Sequence, residues 1–315
     1  MPAKSYRTYA DFLGEHFPFR VQKLPVDAGF TCPNRDGSKG RGGCIYCNNQ
    51  SFVTSYCHPA MSVTAQLEKG KAFFAGKYPD AKYLAYFQSH SGTYAPLEQL
   101  KSLYEEAVAV NDVVGIVIAT RPDCVSAPLF QFLKQLQQRC FVMMEYGVET
   151  LHDATLNLIN RCHDAQTSIS AIHATYAAGI PQCVHLILGL PGETREQMLH
   201  TVRTISALPI DVVKFHQLQI LKHTALASRL PDITALHPTL PFTTEAYIAL
   251  CGEIIGCLSP QIAIERFVSE SPGALLMSPK WGIKPAQFHS LLHQYLEKHH
   301  IFQGKMSRLF HLTFE

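Results

Sequence analysis

The chain has 315 residues, 47% of them hydrophobic, and a formal net charge of +2. This length is enough for one large α/β domain with an extension, and the near-neutral charge argues against a strongly charged partner surface. The N-terminus carries no apolar signal region, and the longest apolar runs, such as 113–119, are too short to span a bilayer. We therefore predict a cytoplasmic protein without membrane spans, whose ten cysteines are mostly reduced.

Strand-like and helix-like patterns alternate along the first two thirds of the chain. Apolar runs typical of buried strands occupy 19–27, 82–88, 113–119, 141–148, 183–189 and 211–218. Helical patterns occupy 62–76, 96–110, 126–138, 165–178 and 194–207. Six strands with helical crossovers predict parallel pairing, which fits a partial (βα)6 TIM-type barrel or an open doubly wound sheet.

The alternation weakens after about residue 220. Segments 243–257 and 285–299 are typical of helices, and 261–269 is typical of a strand. We therefore predict a partial-barrel domain over 1–220 and a C-terminal α/β extension over 221–315 that packs on it.

Polar and glycine-rich segments directly follow several of the predicted strands. The sequence QSHSGT follows the second strand, TRPD the third, and GLPGE the fifth. In both candidate folds the active groups lie at the carboxyl ends of the strands, so these segments are expected to meet at one edge of the sheet.

Three cysteines, Cys32, Cys44 and Cys47, form a C-x11-C-x2-C array after the first predicted strand. Two cysteines separated by two residues can ligate one metal centre, and a site with three protein ligands leaves one position open for chemistry. Cys57 could complete a four-thiolate zinc site instead, which is the less favoured alternative because structural zinc usually takes two C-x2-C pairs.

Several stretches of the chain resemble the motifs of a known superfamily. The stretches KLPVDAGFTCPNRDG, GGCIYC, YFQSHSGTYAP, YGVET, LNLINRCHD and HLILGLPGET resemble the radical S-adenosylmethionine (SAM) superfamily, in particular its YhcC/YtqA branch. That branch is related to the radical domain of the elongator catalytic subunit, which acts on the wobble uridine of tRNA. The resemblance implies a 4Fe-4S cluster held by Cys32, Cys44 and Cys47, SAM bound to the open iron, and an external one-electron reductant.

The resemblance also implies contacts to the nucleoside part of SAM. Tyr46 matches an aromatic position near the adenine, and Ile187 and Gly189 match the strand that flanks it. His185 matches a polar contact to the cofactor, and Glu149 matches a ribose contact. The alternatives are packing for Tyr46, a satisfied core histidine for His185, and a helix-dipole partner for Glu149.

Contacts to the methionine part of SAM are implied less directly. Ser91 and Gly92 stand where relatives carry a Gly-Gly-Glu motif that grips the amino group. Arg161 and His163 resemble an Asn-Arg-Gly-His pattern in which Cys162 replaces the glycine, and Arg161 would pair with the carboxylate. The alternative for Arg161 is a solvated surface arginine.

The substrate implied by the resemblance is a tRNA nucleoside, with tRNA as a partner. Basic residues that could contact phosphates are sparse in the extension, where they favour an ordinary solvated face: Lys280, Lys284, Lys298, Lys305 and Arg308. Two alternatives remain open: the same radical chemistry on a small metabolite, and a non-enzymatic zinc-ribbon interaction module.

Overall fold

A seven-stranded, curled parallel sheet forms the centre of the protein. The computed structural model describes residues 4–51, 54–229 and 242–306. The sheet has the order β1-β2-β3-β4-β5-β6-β8, with strands β1 (Val21–Val26), β2 (Lys82–Phe87), β3 (Val113–Thr120), β4 (Phe141–Glu149), β5 (Gln182–Leu188), β6 (Val212–Gln217) and β8 (Ala263–Arg266). A small antiparallel pair joins β7 (Ile220–Leu221) to β9 (Leu276–Ser278). The strands follow one another in chain order without a reversal, which confirms the partial TIM-type barrel and not the doubly wound sheet.

Ten α-helices lie in the described parts of the chain, most of them on the outer face of the sheet. They are α1 (Tyr9–His16), α2 (Val63–Ala75), α3 (Leu97–Val108), α4 (Ala127–Leu136), α5 (Asp153–Leu158), α6 (Ala165–Ala177), α7 (Arg195–Ser206), α8 (Ala225–Ser228), α9 (Thr244–Cys257) and α10 (Pro285–Lys298). Ser62, Ser126, Asp164 and Thr194 cap α2, α4, α6 and α7 by accepting a backbone amide of the first turn. The sequence patterns therefore located the five main helices between β1 and β6, together with α9 and α10, but they missed α1, α5 and α8.

Strand β8 belongs to the predicted extension, yet it is the seventh strand of the barrel sheet. Val213 of β6 pairs with Ile264, whereas the next residue, Lys214, pairs with Arg266. Glu265 is thus an extra residue in β8, as in a β-bulge, which bends a strand and redirects its side chains. The sheet therefore continues across the predicted boundary between 1–220 and 221–315.

The barrel interior is organised in layers because alternate residues of each strand point inward. At the amino ends of the strands, Phe12 of α1 packs with Leu84, Met143 and Val212, among other apolar side chains. Two residues further along the strands the inward side chains are charged or polar, including Glu145 and Lys214. The carboxyl ends lie above this ionic layer, where a cavity opens.

Candidate active site

The carboxyl ends of the strands and the cysteine loop together line one cavity. Its walls include Gln88 after β2, Thr120 at the end of β3 and Glu149 at the end of β4. The predicted segments after β2 and β3 therefore meet at one edge of the sheet, whereas the GLPGE segment after β5 does not line the cavity. Nine of the predicted site residues line the cavity: Cys32, Cys44, Tyr46, Cys47, Ser91, Glu149, Arg161, His185 and Ile187.

The cysteine loop is anchored by the turn that follows α5. The amide of Ile45 donates to the carbonyl of Ile159 at 3.0 Å. Asn160, with a φ of 56°, uses its side-chain amide to donate to the carbonyl of Gly43 at 2.8 Å. The Asn34 side chain donates in return to the carbonyl of Asn160. These reciprocal bonds fix the loop backbone against the barrel.

The three cysteines offer a donor set that fits an iron–sulfur cluster. All three are free thiols at the cavity, and the guanidinium of Arg35 interacts electrostatically with each of them. Burial and the neighbouring Cys44 raise the pKa of the Cys47 thiol, while Arg35 opposes that rise. Soft sulfur ligands and a nearby cation suit a cluster that binds as thiolates.

The fourth thiol that a zinc site would need lies elsewhere. The Cys57 sulfur contacts the Thr54 hydroxyl at 2.9 Å and the Pro25 carbonyl at 3.0 Å, and Cys57 does not line the cavity. The geometry therefore favours three ligands and one open coordination position over a four-thiolate zinc site.

Arg161 lies between the cysteine loop and the end of β4. Its side chain is only 7% exposed, so the alternative of a solvated surface arginine does not describe it. Nη1 approaches the Cys44 sulfur at 3.5 Å, Nη2 lies 3.6 Å from a Glu149 carboxylate oxygen, and Nε has no hydrogen-bond partner. Ser91 is also fully buried at the cavity with an unpartnered hydroxyl. Buried polar groups without partners are costly, so these atoms are suited to a bound polar ligand.

The opposite side of this part of the cavity is apolar. Tyr46 packs on a cluster that contains Ile187 and Leu218, and burial, with Cys44 and Glu149 nearby, raises the pKa of its phenol well above the usual range. Tyr46 therefore presents a neutral aromatic ring beside the cysteines. Glu149 lies at the same part of the cavity and has a backbone φ of 69°. Its contact with Arg161 means that it is not only a helix-dipole partner for the helix that follows.

His185 joins the cavity to the ionic layer beneath it. Its Nε2 lies 2.8 Å from a Glu145 oxygen that also accepts from the Tyr86 hydroxyl at 2.7 Å and from Lys214 at 3.3 Å. Burial and the Lys214 charge lower the pKa of His185, so its imidazole is neutral. His185 is thus both a cavity residue and a satisfied buried histidine.

The ionic layer holds two carboxylates and two ammonium groups. Lys23 contacts Glu145 and, at 2.7 Å, Glu265, while Lys214 contacts Glu265 at 2.9 Å. The ligand atoms of Glu145, Cys183 and His185 lie within 4.8 Å of one another. Lys23 and Lys214 both contact Glu145, so a metal ion there would have to displace them. The two ammonium groups already balance the two carboxylates without a metal ion.

Three predicted site residues do not line the cavity. Gly92 donates its amide to Ala119 and accepts from the Tyr104 hydroxyl; a Cβ atom there would lie 2.8 Å from the Ala119 oxygen. Gly189, with a φ of 91°, shapes the turn after β5. Burial and Arg161 lower the pKa of His163 to about 4, so it is a neutral ring behind Arg161. These residues support the site from outside the cavity, and the direct cofactor contacts predicted for them do not follow from this geometry.

Comparison with known families identifies this arrangement. A family model described as the radical SAM superfamily matches residues 34–205, and a radical SAM C-terminal domain model matches 210–298. The chain belongs to the radical SAM superfamily.

Individual relatives agree with this assignment. The protein YtqA of Bacillus subtilis is 33% identical over 96% of this chain and 92% of its own length, which confirms the resemblance to the YhcC/YtqA branch. A tRNA uridine(34) acetyltransferase of Methanocaldococcus jannaschii is 25% identical over 64% of this chain and 37% of its own length. The solved structure of Methanocaldococcus infernus Elp3 shares the fold, with a TM-score of 0.64 and 17% identity over 90% of this chain and 64% of that one.

This radical SAM protein therefore uses a 4Fe-4S cluster and SAM, and its family implies an external reductant. Within the described residues, no helix is both long enough and apolar enough to cross a membrane. The cytoplasmic location stays a prediction.

Several cavity residues were not singled out from the sequence, and the charged or titratable ones among them include Arg35, Lys214, His216 and Arg266. Lys214 and His216 alternate within an otherwise apolar strand, and such a polar i, i+2 pair is the signal that could have indicated an inward-facing site. Arg266 could not be found in this way because its strand was assigned to the extension.

Proposed function

We propose that this radical SAM enzyme modifies a nucleoside of tRNA, a uridine at the wobble position. The observation that carries the proposal is the match to a tRNA uridine(34) acetyltransferase over 64% of this chain. The overall charge of +2 gives no strong independent attraction to RNA. Recognition of the nucleoside would therefore depend on the cavity.

In this proposal Cys32, Cys44 and Cys47 hold the cluster and leave one iron free for SAM. When bound, the cluster and SAM supply a 5′-deoxyadenosyl radical after one-electron reduction. The positive charge of Arg35 offsets the negative charge of the thiolates. A hydrogen bond of 3.0 Å from its guanidinium to the Cys47 carbonyl holds it within the loop. The loop anchors on Asn160 keep the sulfur atoms in place during electron transfer.

The unpartnered atoms support a proposal for how the walls would hold SAM. Arg161 would donate to the carboxylate of the methionine part through Nε, and the Ser91 hydroxyl would accept from its amino group. Glu149 would accept from the ribose hydroxyls, and Tyr46 with Ile187 would form the apolar slot for the adenine. The 5′ carbon would then face the remaining wall, formed by β6 and β8.

A comparison of tRNA nucleosides tests the substrate. We expect mass spectrometry of tRNA from cells without the gene to lack one modified uridine, restored by the wild-type gene but not by Cys44→Ser. Reconstituted protein should release 5′-deoxyadenosine faster when that tRNA is added. An unchanged nucleoside profile together with no stimulation by tRNA would refute the tRNA proposal.

A small metabolite is the second candidate substrate, favoured by the polar wall of Lys214, His216 and Arg266 within the cavity. The described basic residues of the extension, such as Lys280 and Lys298, are exposed but scattered, and Arg308 lies outside the described residues. Release of 5′-deoxyadenosine with a protein-free cell extract, but not with tRNA, would favour this candidate. One zinc per chain and no cleavage of SAM would instead support the interaction-module alternative.

A further inference from the structure

The wall formed by β6 and β8 has no assigned role in cofactor binding. The residues assigned to the cluster and SAM come from the segments around β1 to β5. The remaining lining comes from β6, β8 and the segments that follow them, and its polar members are Lys214, His216, Gln217, Gln219, Arg266, Ser269 and Ser271. This wall faces the position where the radical is expected, and so it is where a substrate would lie.

Most polar groups of this wall are satisfied by one another. The Gln217 side chain donates to the Ser269 carbonyl at 2.8 Å and accepts from the Ser269 amide at 2.8 Å. Gln219 likewise donates to the Ser269 carbonyl at 3.0 Å and accepts from the Ser271 hydroxyl at 2.6 Å. These bonds tie the segment after β8 to the end of β6 and make the wall a preformed surface.

Arg266 is the exception on this wall. Five arginine and lysine side chains line the cavity, and four have acidic partners within the described parts of the chain: Arg35 with the cysteine thiols, Arg121 with Asp123, Arg161 with Glu149, and Lys214 with Glu145 and Glu265. Arg266 has no carboxylate within ion-pair distance among those residues, and its buried Nε has no hydrogen-bond partner. Among the described residues, the positive charge of Arg266 therefore has no counter-ion.

The local backbone explains how Arg266 reaches the cavity. Because of the bulge at Glu265, two consecutive side chains of β8 both point into the barrel interior. Glu265 bonds to the lysines of the ionic layer, and Arg266 lines the cavity above that layer. The Glu265 charge is divided between Lys23 and Lys214, at 2.7 and 2.9 Å. Those two lysines and the carboxylates of Glu145 and Glu265 balance, so the layer beneath does not neutralise Arg266.

His216 orients the free guanidinium. Arg266 Nη2 lies 3.1 Å from His216 Nδ1 and 3.4 Å from its Nε2, so the guanidinium rests against the imidazole ring. Burial, together with Arg266 and His185, holds the pKa of His216 well below its usual range. A neutral imidazole holds the guanidinium in place without cancelling its charge, which leaves the other donors of the guanidinium for a ligand.

We propose that Arg266 and His216 form an anion-binding subsite for the substrate, which takes one singly charged oxyanion, either a phosphodiester or a carboxylate. One uncompensated charge matches one negative charge, and the planar guanidinium can bind two oxygens of the group at once. The inference rests on the proposed function because it assigns this wall to the substrate of the radical reaction. A phosphodiester would come from a nucleic-acid chain, and a carboxylate from a small metabolite.

Anion binding can be measured without turnover. Reconstituted, cluster-loaded protein with saturating SAM is titrated anaerobically with dimethyl phosphate or acetate at constant ionic strength, and the melting temperature is followed. The variants are Arg266→Gln, Arg266→Lys and the matched control Arg195→Gln. Arg195 pairs with Glu253 outside the cavity and is 57% exposed, so both Gln variants remove the same charge.

We expect wild type and Arg195→Gln to be stabilised by at least one of the two anions. Arg266→Gln should bind that anion about tenfold or more weakly, since a charged hydrogen bond contributes about 1.5–3 kcal/mol. Arg266→Lys should retain part of the affinity, which separates loss of charge from loss of fold. Preference for dimethyl phosphate identifies a nucleic-acid source, and preference for acetate identifies a carboxylate source.

Equal binding by wild type and Arg266→Gln, or no binding by wild type, would overturn the subsite. Because neither tRNA nor radical formation enters this assay, its outcome is independent of the nucleoside comparison. An unchanged tRNA profile with intact anion binding would refute the proposed function and keep Arg266 as a substrate contact.

Discussion

Replacing Glu145 by glutamine tests whether the ionic layer is a connected unit. The Glu145 carboxylate is fully buried, and both of its oxygens face only donors: Lys23 on one side, and Tyr86, His185 and Lys214 on the other. A glutamine amide has one acceptor oxygen, so its NH2 group must face donors whichever way it turns. The variant also leaves two lysines with only one carboxylate.

Breaking a buried ion pair by removing one partner costs about 3–5 kcal/mol. We expect a value near the lower end, about 3 kcal/mol, because Glu265 still contacts both Lys23 and Lys214. With an unfolding entropy of about 2.1 cal/mol/K per residue over 315 residues, the melting temperature should fall by roughly 4–5 °C, measured by anaerobic differential scanning fluorimetry with the cluster in place. The control is Glu98→Gln, whose side chain is 83% exposed in an i, i+3 pair with Lys101; it should change stability by less than about 0.5 kcal/mol. A Glu145→Gln protein that melts within 2 °C of wild type would refute the reasoning.

Three further outcomes follow from the same geometry. Cys44→Ser should lose the visible absorbance of the cluster, whereas Cys57→Ser should keep about four irons per chain; the reverse would place the cluster on other ligands. Cys162 has a φ of 60°, so Cys162→Gly should be more stable than Cys162→Ala by about 1 kcal/mol in urea unfolding, and a more stable alanine variant would contradict this. Burial and Arg161 depress the pKa of His163 from 6.5 to about 4, so its neutral form stabilises the fold above pH 6.5 and that contribution is lost as the pH falls towards 4. The difference in unfolding free energy between wild type and His163→Gln should therefore shrink by about 2–3 kcal/mol between pH 6.5 and 4, and a constant difference would show that His163 does not titrate there.

The strands of the barrel were predictable because buried parallel strands are continuous apolar runs. The predicted strand 113–119, for example, corresponds to β3 at Val113–Thr120. The rule that active groups lie at the carboxyl ends of strands then placed Ser91 and Glu149 at one cavity. The cluster depended on the family resemblance, since the spacing of Cys32, Cys44 and Cys47 alone also allowed zinc.

Other features depend on three-dimensional pairing that no local pattern encodes. Strand β8 is only four residues long and joins β6 across a stretch of more than forty residues. Its bulge brings Arg266 to the cavity, and such a shift in register is set by packing and not by periodicity. The positive φ of Cys162 likewise has no signal in the local sequence, because it is set by the turn after α5.

The ionic layer has a geometric consequence that stability alone does not explain. Buried ion pairs can often be replaced by apolar side chains without loss of stability, so the energy of these bridges does not account for them. Lys23 on the edge strand β1 bonds to Glu265 on the other edge strand β8 at 2.7 Å, which joins the two edges of the curled sheet across its interior. The same carboxylates hold Lys214 and His185 at the floor of the cavity. Because the layer is neutral within itself, it does not neutralise the charge of Arg266 above it. The fold thereby separates the charges that link the two edges of the sheet from the charge that is proposed to bind the substrate.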